Sequence, residues 1–117
     1  MYDHIGLKVQ DLDASARFYE RALKPLGHVL CSKDASGAGL GPKGAAALWL
    51  NPGKAGTVHV AFRAPDRKAV DGFHEAALAA GGRDNGAPGL RKDYGANYYA
   101  AFVLDPDGNN VEAVYLG

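Results

Sequence analysis

The chain has 117 residues, and its 13 basic and 13 acidic residues balance to a formal net charge of zero at pH 7. A chain of this length forms one domain that buries roughly two thirds of its unfolded surface, so it needs no disulfide or structural metal to fold. The chain has no basic stripe and no long apolar run, so nucleic acid and membranes are not expected as partners. Its single cysteine cannot form an internal disulfide, which favours the reducing cytoplasm. A small molecule is the expected partner.

Residues 2–9 alternate between apolar and other side chains, as a strand with one face in a core requires. The apolar face carries Ile5, Leu7 and Val9. His4 and Lys8 therefore fall on the opposite face.

A helix follows this strand. Asp11 or Asp13 can cap its first turn, and the apolar spacing continues to about Lys24, where Pro25 and Gly27 end it. Three short strands are expected next, at residues 28–32, 37–44 and 45–50.

The pattern restarts near Thr57. A shift of 55 residues takes His4 to His59, Asp11 to Asp66 and Phe18 to Phe73. Two copies of one unit are the simplest interpretation, with a first module at about 1–54 and a second at about 55–117 of a single domain. In the second copy, Asp66 caps a helix that runs to about Ala80, and a glycine-rich loop is expected at residues 85–95.

The last 20 residues indicate two strands joined by a tight turn. Asp105-Pro106-Asp107-Gly108 has the preferred residue order of a type I turn. The strand after it, residues 110–116, is apolar except for Glu112. A carboxylate removed from water costs several kcal/mol unless a positive group holds it. With eight strands and two helices expected, the faces of His4 and His59 look into a shared concavity that Glu112 can reach.

The quoted segments DHIGLKVQDLDASARFYERAL, VHVAFRAPD and FVLDPDGNNVEAV resemble the vicinal oxygen chelate superfamily, which includes glyoxalase I, extradiol dioxygenases and bleomycin resistance proteins. The resemblance implies an α+β fold in which two tandem βαβββ modules pair into an open, cupped, eight-stranded mixed sheet with the helices outside. It also implies one divalent metal per chain (Fe, Mn, Ni, Co or Zn), with His4, His59 and Glu112 as ligands.

Two imidazoles and one carboxylate leave coordination positions open for a substrate. The resemblance therefore implies a metal-dependent lyase, isomerase or dioxygenase that chelates a small, oxygen-rich substrate. The alternative is a drug-binding protein of the bleomycin-resistance type, without turnover. Family members commonly form homodimers, with modules paired within one chain or exchanged between two.

Further candidates surround this proposed site. Tyr98 and Tyr99 point to opposite faces of their strand, so one of them can act as a hydrogen-bond donor or acid there. Lys8 and Arg63 either hold an anionic substrate or are solvated strand ends.

Arg91 and Tyr94 precede the closing hairpin, where they can cover the cavity mouth and contact substrate. Trp49 lies near the place where the first module would offer an acid equivalent to Glu112, and it is expected to form a cavity wall or a core contact. The resemblance also implies that glyoxalase I proteins use four ligands, including a second acid that can shuttle a proton. This chain lacks that acid in its first module, which argues against the glyoxalase I reaction itself.

Overall fold

The computed structural model describes residues 2–117 of the protein. The first module contains β1 (Ile5–Val9), α1 (Leu12–Leu23), β2 (Val29–Asp34), β3 (Gly37–Gly41) and β4 (Leu48–Pro52). The second contains β5 (His59–Arg63), α2 (Arg67–Ala79), β6 (Arg83–Leu90), β7 (Tyr99–Leu104) and β8 (Asn110–Tyr115). Neither helix in this part of the chain has the length and apolar character needed to cross a membrane.

The strands form two four-stranded sheets, ordered β1-β4-β3-β2 and β5-β8-β7-β6. In each sheet the first strand pairs in parallel with the last, and the other pairings are antiparallel. The predicted α+β class with two βαβββ modules is thus confirmed. Neither sheet is closed. Within residues 2–117, β1 pairs only with β4 and β5 only with β8, so each leaves one strand edge unpaired.

Both helices begin at the aspartates that the repeat predicts. Asp11 accepts a hydrogen bond from the backbone N–H of Ala14 at 3.0 Å, and Asp66 accepts one from Ala69 at 2.7 Å. These side chains satisfy N–H groups that lack a partner inside the helix. Gly27, with a φ of +90°, follows the short 3-10 turn after α1.

The closing hairpin of the second module is fixed to the first module by a buried polar network. Tyr19 on α1 donates its hydroxyl to Asp105 Oδ2 at 2.5 Å, and the side-chain amide of Asn109 donates to the same oxygen at 2.9 Å. Asp107 accepts a hydrogen bond from the Ser15 hydroxyl at 3.3 Å. Asp105 is only 2% exposed and Tyr19 is fully buried. The network therefore ties the turn before β8 to α1.

Two predicted boundaries are wrong. Most of the expected loop at residues 85–95 is strand β6, which pairs with β7 through register shifts near Gly86 and between Gly86 and Gly89. Bulges accommodate glycines that weaken a strand signal in the sequence. Strand β4 of the first module begins at Leu48 rather than Ala45, because the backbone N–H of Ala45 donates a hydrogen bond to the Pro42 carbonyl in the preceding turn.

Candidate metal centre

Glu112 lies on the face of the second sheet that is turned away from α2. Its neighbours Val111 and Ala113 belong to the helix-covered core, and strand alternation turns Glu112 to the other side. On that face β8 pairs Glu112 with Ala61 of β5 and Phe102 of β7. The carboxylate is nevertheless only 2% exposed.

Two side chains contact this buried carboxylate. His59 Nε2 lies 2.9 Å from Oε1, and the Tyr98 hydroxyl donates a hydrogen bond to Oε2. Burial, followed by the hydrogen bond to Glu112 and its charge, raises the pKa of Tyr98 to about 12. The phenol therefore stays protonated at neutral pH and acts as a donor.

The other ring nitrogen of His59, Nδ1, lies 2.9 Å from the backbone carbonyl oxygen of Asn110. A neutral imidazole has one N–H, and donating it to this carbonyl leaves the Nε2 lone pair facing the carboxylate of Glu112. Two acceptors in this position need a proton or a cation between them. Metal-bound histidines commonly donate their second N–H to a backbone carbonyl, as His59 does.

The spacing of this pair also fits a divalent ion. Bonds of about 2.1 Å to nitrogen and oxygen place two ligands at right angles about 3 Å apart. The separation between His59 Nε2 and Glu112 Oε1 is 2.9 Å. These two residues therefore fit as two ligands of one ion.

His4 does not join them within one chain. It precedes β1, its side chain is 58% exposed, and its Nδ1 contacts the carboxylate of Asp3 at 2.7 Å. Across residues 2–117, no group of three or more His, Cys, Asp or Glu side chains lies close enough to hold a metal. The structure thus brings together His59 and Glu112 and leaves His4 on the other module.

The strand registers identify Trp49 as the structural counterpart of Glu112. Gly6 and Ala61 are repeat-equivalent, and they pair with Trp49 and Glu112 respectively. The indole of Trp49 lies against Gly39, where an added Cβ would come within 2.7 Å of the ring. An aromatic wall therefore replaces the acid in the first module.

The two adjacent tyrosines separate as strand geometry requires. Tyr98 contacts Glu112, whereas the Tyr99 hydroxyl donates to Asp71 on α2 at 2.6 Å. The Arg67 guanidinium lies 4.8 Å from the Tyr99 ring centre. Tyr99 is thus on the helix-covered side and does not touch the candidate centre.

The remaining candidates, which all lie within residues 2–117, form no hydrogen bond or ion pair with the Glu112 carboxylate. Lys8 and Arg63 are exposed in the second halves of β1 and β5, and the Lys8 stem lies against Gly53. Arg91 and Tyr94 line a cavity of about 300 Å³ on the second module, together with Phe102.

Sequence reasoning missed Phe102, whose ring stacks on His59 at a centroid distance of 6.2 Å. Alternation along β7 puts Phe102 on the same face as Tyr98, so the strand period carried the signal. The backbone carbonyl of Asn110 was also missed, and no side-chain pattern could have indicated it.

A second cavity, of about 200 Å³, lies between the modules and is mostly apolar. His4 and His28 line it beside Val60 and Phe62. Nδ1 of His28 is buried without a hydrogen-bond partner, and burial lowers the pKa of this imidazole. The cavity is thus lined by a histidine whose neutral form is favoured, and Glu112 is not among its lining residues.

Known proteins resemble this chain along nearly its whole length. A sequence model described as Glyoxalase/Bleomycin resistance protein/Dioxygenase superfamily matches residues 2–113. A glyoxalase/bleomycin resistance protein from Albidiferax ferrireducens T118 superposes with a TM-score of 0.84 and 28% identity, covering 98% of this chain and 98% of that chain.

Two further solved structures carry enzyme names. A mutant of glyoxalase I from Zea mays has a TM-score of 0.71 and 25% identity, covering 97% of this chain and 43% of that chain. Lactoylglutathione lyase from Agrobacterium tumefaciens has a TM-score of 0.69 and 24% identity, covering 96% of this chain and 90% of that chain. Among curated proteins, none matches the sequence.

Proposed function

Because the chain belongs to the glyoxalase/bleomycin resistance protein/dioxygenase superfamily, we propose that it is a metal-dependent enzyme acting on a small, oxygen-rich molecule. The observation that carries this proposal is the His59–Glu112 pair. One nitrogen of His59 is fixed by a backbone carbonyl, and the other faces a buried carboxylate at 2.9 Å. This arrangement supports a bound cation more readily than an isolated surface histidine would.

His59, Glu112 and His4 would hold a divalent ion such as Fe, Mn, Ni, Co or Zn. When bound, the ion supplies Lewis acidity, which stabilises negative charge that develops on a substrate oxygen. Tyr98 keeps its proton at neutral pH and orients the Glu112 carboxylate through Oε2. The Phe102 ring stacks on the His59 imidazole, with the ring centres 6.2 Å apart.

The third ligand comes from a second copy of the chain in this proposal. His4 is exposed beside the unpaired edge of β1, and His59 begins β5, whose edge is also unpaired. Exposed apolar side chains flank both edges, with Ile5 at 38% and Val58 at 43% exposure. A homodimer that joins β1 of one copy to β5 of the other would cover these side chains and bring His4 of the partner subunit toward Glu112.

Metal content tests the ligand assignment. Protein purified without chelator is expected to contain one divalent ion per chain by mass spectrometry, and His59→Ala or Glu112→Gln is expected to lower this at least tenfold. His74→Ala is the matched control, because His74 pairs with the exposed Asp84 and not with Glu112. Equal metal content in the wild type and Glu112→Gln would overturn the assignment.

Mixed dimers test the shared site. Neither His4→Ala nor Glu112→Gln alone is expected to retain metal. In a heterodimer of the two variants, the His4→Ala chain supplies His59 and Glu112, and the other chain supplies His4. Such heterodimers, isolated with two different affinity tags, are expected to bind one ion per dimer. A metal-free heterodimer would place all three ligands within one chain and contradict the proposal that two chains share each metal site.

A drug-binding protein without turnover is the alternative, and one observation favours it. The Trp49 indole is 36% exposed and offers stacking surface on the sheet. In that case Glu112→Gln would leave the affinity for a planar aromatic cation such as ethidium unchanged, whereas Trp49→Ala would weaken it about tenfold. Loss of ethidium binding in Glu112→Gln, or its retention in Trp49→Ala, would exclude this alternative.

A further inference from the structure

Arg91 is held on the same side of the second sheet as the candidate metal centre. Its guanidinium donates to the backbone carbonyls of Gly89 at 2.9 Å and Ala87 at 2.7 Å. It also lies over the Phe102 ring, 5.3 Å from the ring centre. Since Phe102 stacks in turn on His59, the cation is one aromatic ring away from the proposed metal ligand.

The charge of Arg91 has no acidic partner. In the part of the chain that the structure describes, the ion pairs within 4.0 Å join His4, Lys33, His59 and His74 to carboxylates, and none involves Arg91. The side chain is half-buried, and two of its five N–H donors are used by the carbonyls. A partly desolvated guanidinium with free donors is well suited to bind a carboxylate in the bidentate manner.

A cavity of about 300 Å³ opens beside this guanidinium. It is lined by Asn85, Gly86, Arg91, Tyr94, Phe102 and Asn110. The two amide side chains are joined at 3.1 Å, with Asn85 Nδ2 donating to Asn110 Oδ1. The Asn110 side-chain N–H groups therefore add donors near the cation, while two aromatic rings supply apolar walls.

Glycine is required for this arrangement at one position. Gly86 has a φ of +153°, and an added Cβ would lie 3.0 Å from Phe102 and 3.1 Å from the Arg91 guanidinium. A larger residue would therefore push the cation and the ring apart. This close approach preserves the stack that presents Arg91 to the cavity.

We propose that this cavity binds the carboxylate of a small, planar carboxylic acid whose vicinal oxygens lie toward His59 and Glu112. The cation and the amides hold the carboxylate, and the rings of Phe102 and Tyr94 contact the planar part of the molecule. The metal-facing half of this assignment rests on the proposed function. The anion-binding half depends only on Arg91 and its neighbours.

Benzoate and benzamide test the anion-binding half without metal. They have nearly the same shape but differ in charge, and chelator-treated protein is expected to bind benzoate about tenfold more tightly by NMR titration. Arg91→Gln is expected to remove this preference, and Arg91→Lys to keep part of it. Lys92→Gln removes a neighbouring exposed charge and is expected to leave the preference unchanged. Equal preference in the wild type and Arg91→Gln, or a loss in Lys92→Gln, would overturn the proposal.

Metal-loaded protein tests the other half with 3,4-dihydroxybenzoate and catechol. Both chelate a metal through vicinal oxygens, but only the first has a carboxylate. It is expected to bind about tenfold more tightly than catechol, with the advantage lost in Arg91→Gln and catechol affinity unchanged. If benzoate binding depends on Arg91 while catechol does not bind and metal does not tighten the binding of 3,4-dihydroxybenzoate, the anion site stands and the proposed metal function fails. If catechol binds without any advantage from the carboxylate, the substrate assignment is overturned and the metal function stands.

Discussion

The two modules share their scaffold but differ on the open faces of their sheets. Asp11 and Asp66 both cap a helix, and Phe18 and Phe73 are both buried. The cross-strand pair on the open face is different, being Gly39 with Trp49 in the first sheet and Phe102 with Glu112 in the second. The aromatic ring of the pair is therefore on β4 in the first sheet and on β7 in the second.

This difference distinguishes residues that are needed for folding from residues that are free to differ in function. Caps and core residues determine whether each module folds, so the repeat remains visible there. The open face contributes less to the core and can diverge, so one sheet has an aromatic wall and the other a carboxylate. The proposed single metal per chain follows from this asymmetry.

The largest effect is expected from Asp105→Ala, because only the second module has an acid in the turn before its last strand. The substitution would leave Tyr19 and Asn109 buried without their acceptor, at a cost of about 4 kcal/mol in the free energy of unfolding. Asp71→Ala removes a similar tyrosine contact at an exposed site and should cost less than about 1 kcal/mol. Urea denaturation measures both. Equal costs would show that burial does not distinguish the two contacts.

The next effect compares two repeat-equivalent leucines. Leu23 on α1 is 1% exposed, whereas Leu78 on α2 is 37% exposed. Leu23→Ala should lower the free energy of unfolding by about 3 kcal/mol, because it leaves a cavity, and Leu78→Ala by less than about 1 kcal/mol. Thermal and urea denaturation measure the difference. A similar loss in both variants would mean that the modules pack their helices alike.

A smaller effect is expected at the exchanged pair on the open face. Gly39→Ala would force its new methyl group against Trp49 and should cost about 1.5 kcal/mol. In a Trp49→Ala background the same change should cost under about 1 kcal/mol, because the ring is gone and only the Ala46 methyl, 3.1 Å away, remains close. The double-mutant cycle gives this coupling energy directly. Additive costs would show that the indole does not restrict position 39.

The smallest effect concerns pH. His28 immediately precedes β2 and lines the cavity that Asp3 and His4 also line, while its repeat counterpart Arg83 is exposed. Burial lowers the pKa of His28 in the folded state, so the fold favours its neutral form. The contribution of His28 to the free energy of unfolding is therefore fully present above its pKa in the unfolded state, about 6.5. It is lost as the pH falls through the lower pKa of the folded state.

Comparison with His28→Gln isolates this effect, because glutamine does not titrate. Between pH 7.5 and 5.5, the wild type should lose more unfolding free energy than the variant. NMR titration of the imidazole should show the lowered pKa directly. Parallel pH profiles for the two proteins would contradict a buried, neutral His28.

Much of the fold could be predicted because local signals repeat along the chain. The caps at Asp11 and Asp66 and the turn at Asp105 depend on neighbouring residues, which a sequence shows directly. Strand β6 could not be predicted, because Gly86, Pro88 and Gly89 weaken its local signal and only pairing with β7 stabilises it.

The candidate site was predictable in part for the same reason. Glu112 was evident as one acid in an apolar strand, and the repeat indicated His59. Which of Tyr98 and Tyr99 meets Glu112 depends on the phase of β7 relative to β8, a tertiary property. The distance of His4 from Glu112 depends on how the modules are arranged, which strand periodicity does not encode.

The polar network between α1 and the last hairpin also makes the two modules depend on each other for stability. Tyr19 belongs to the first module and Asp105 to the second, yet the two buried side chains are joined by a hydrogen bond. A cut in the largely exposed segment 53–58 would therefore yield two fragments, each with a polar group that needs its sister fragment. The duplicated halves have become mutually dependent, although their sequences still show a common plan.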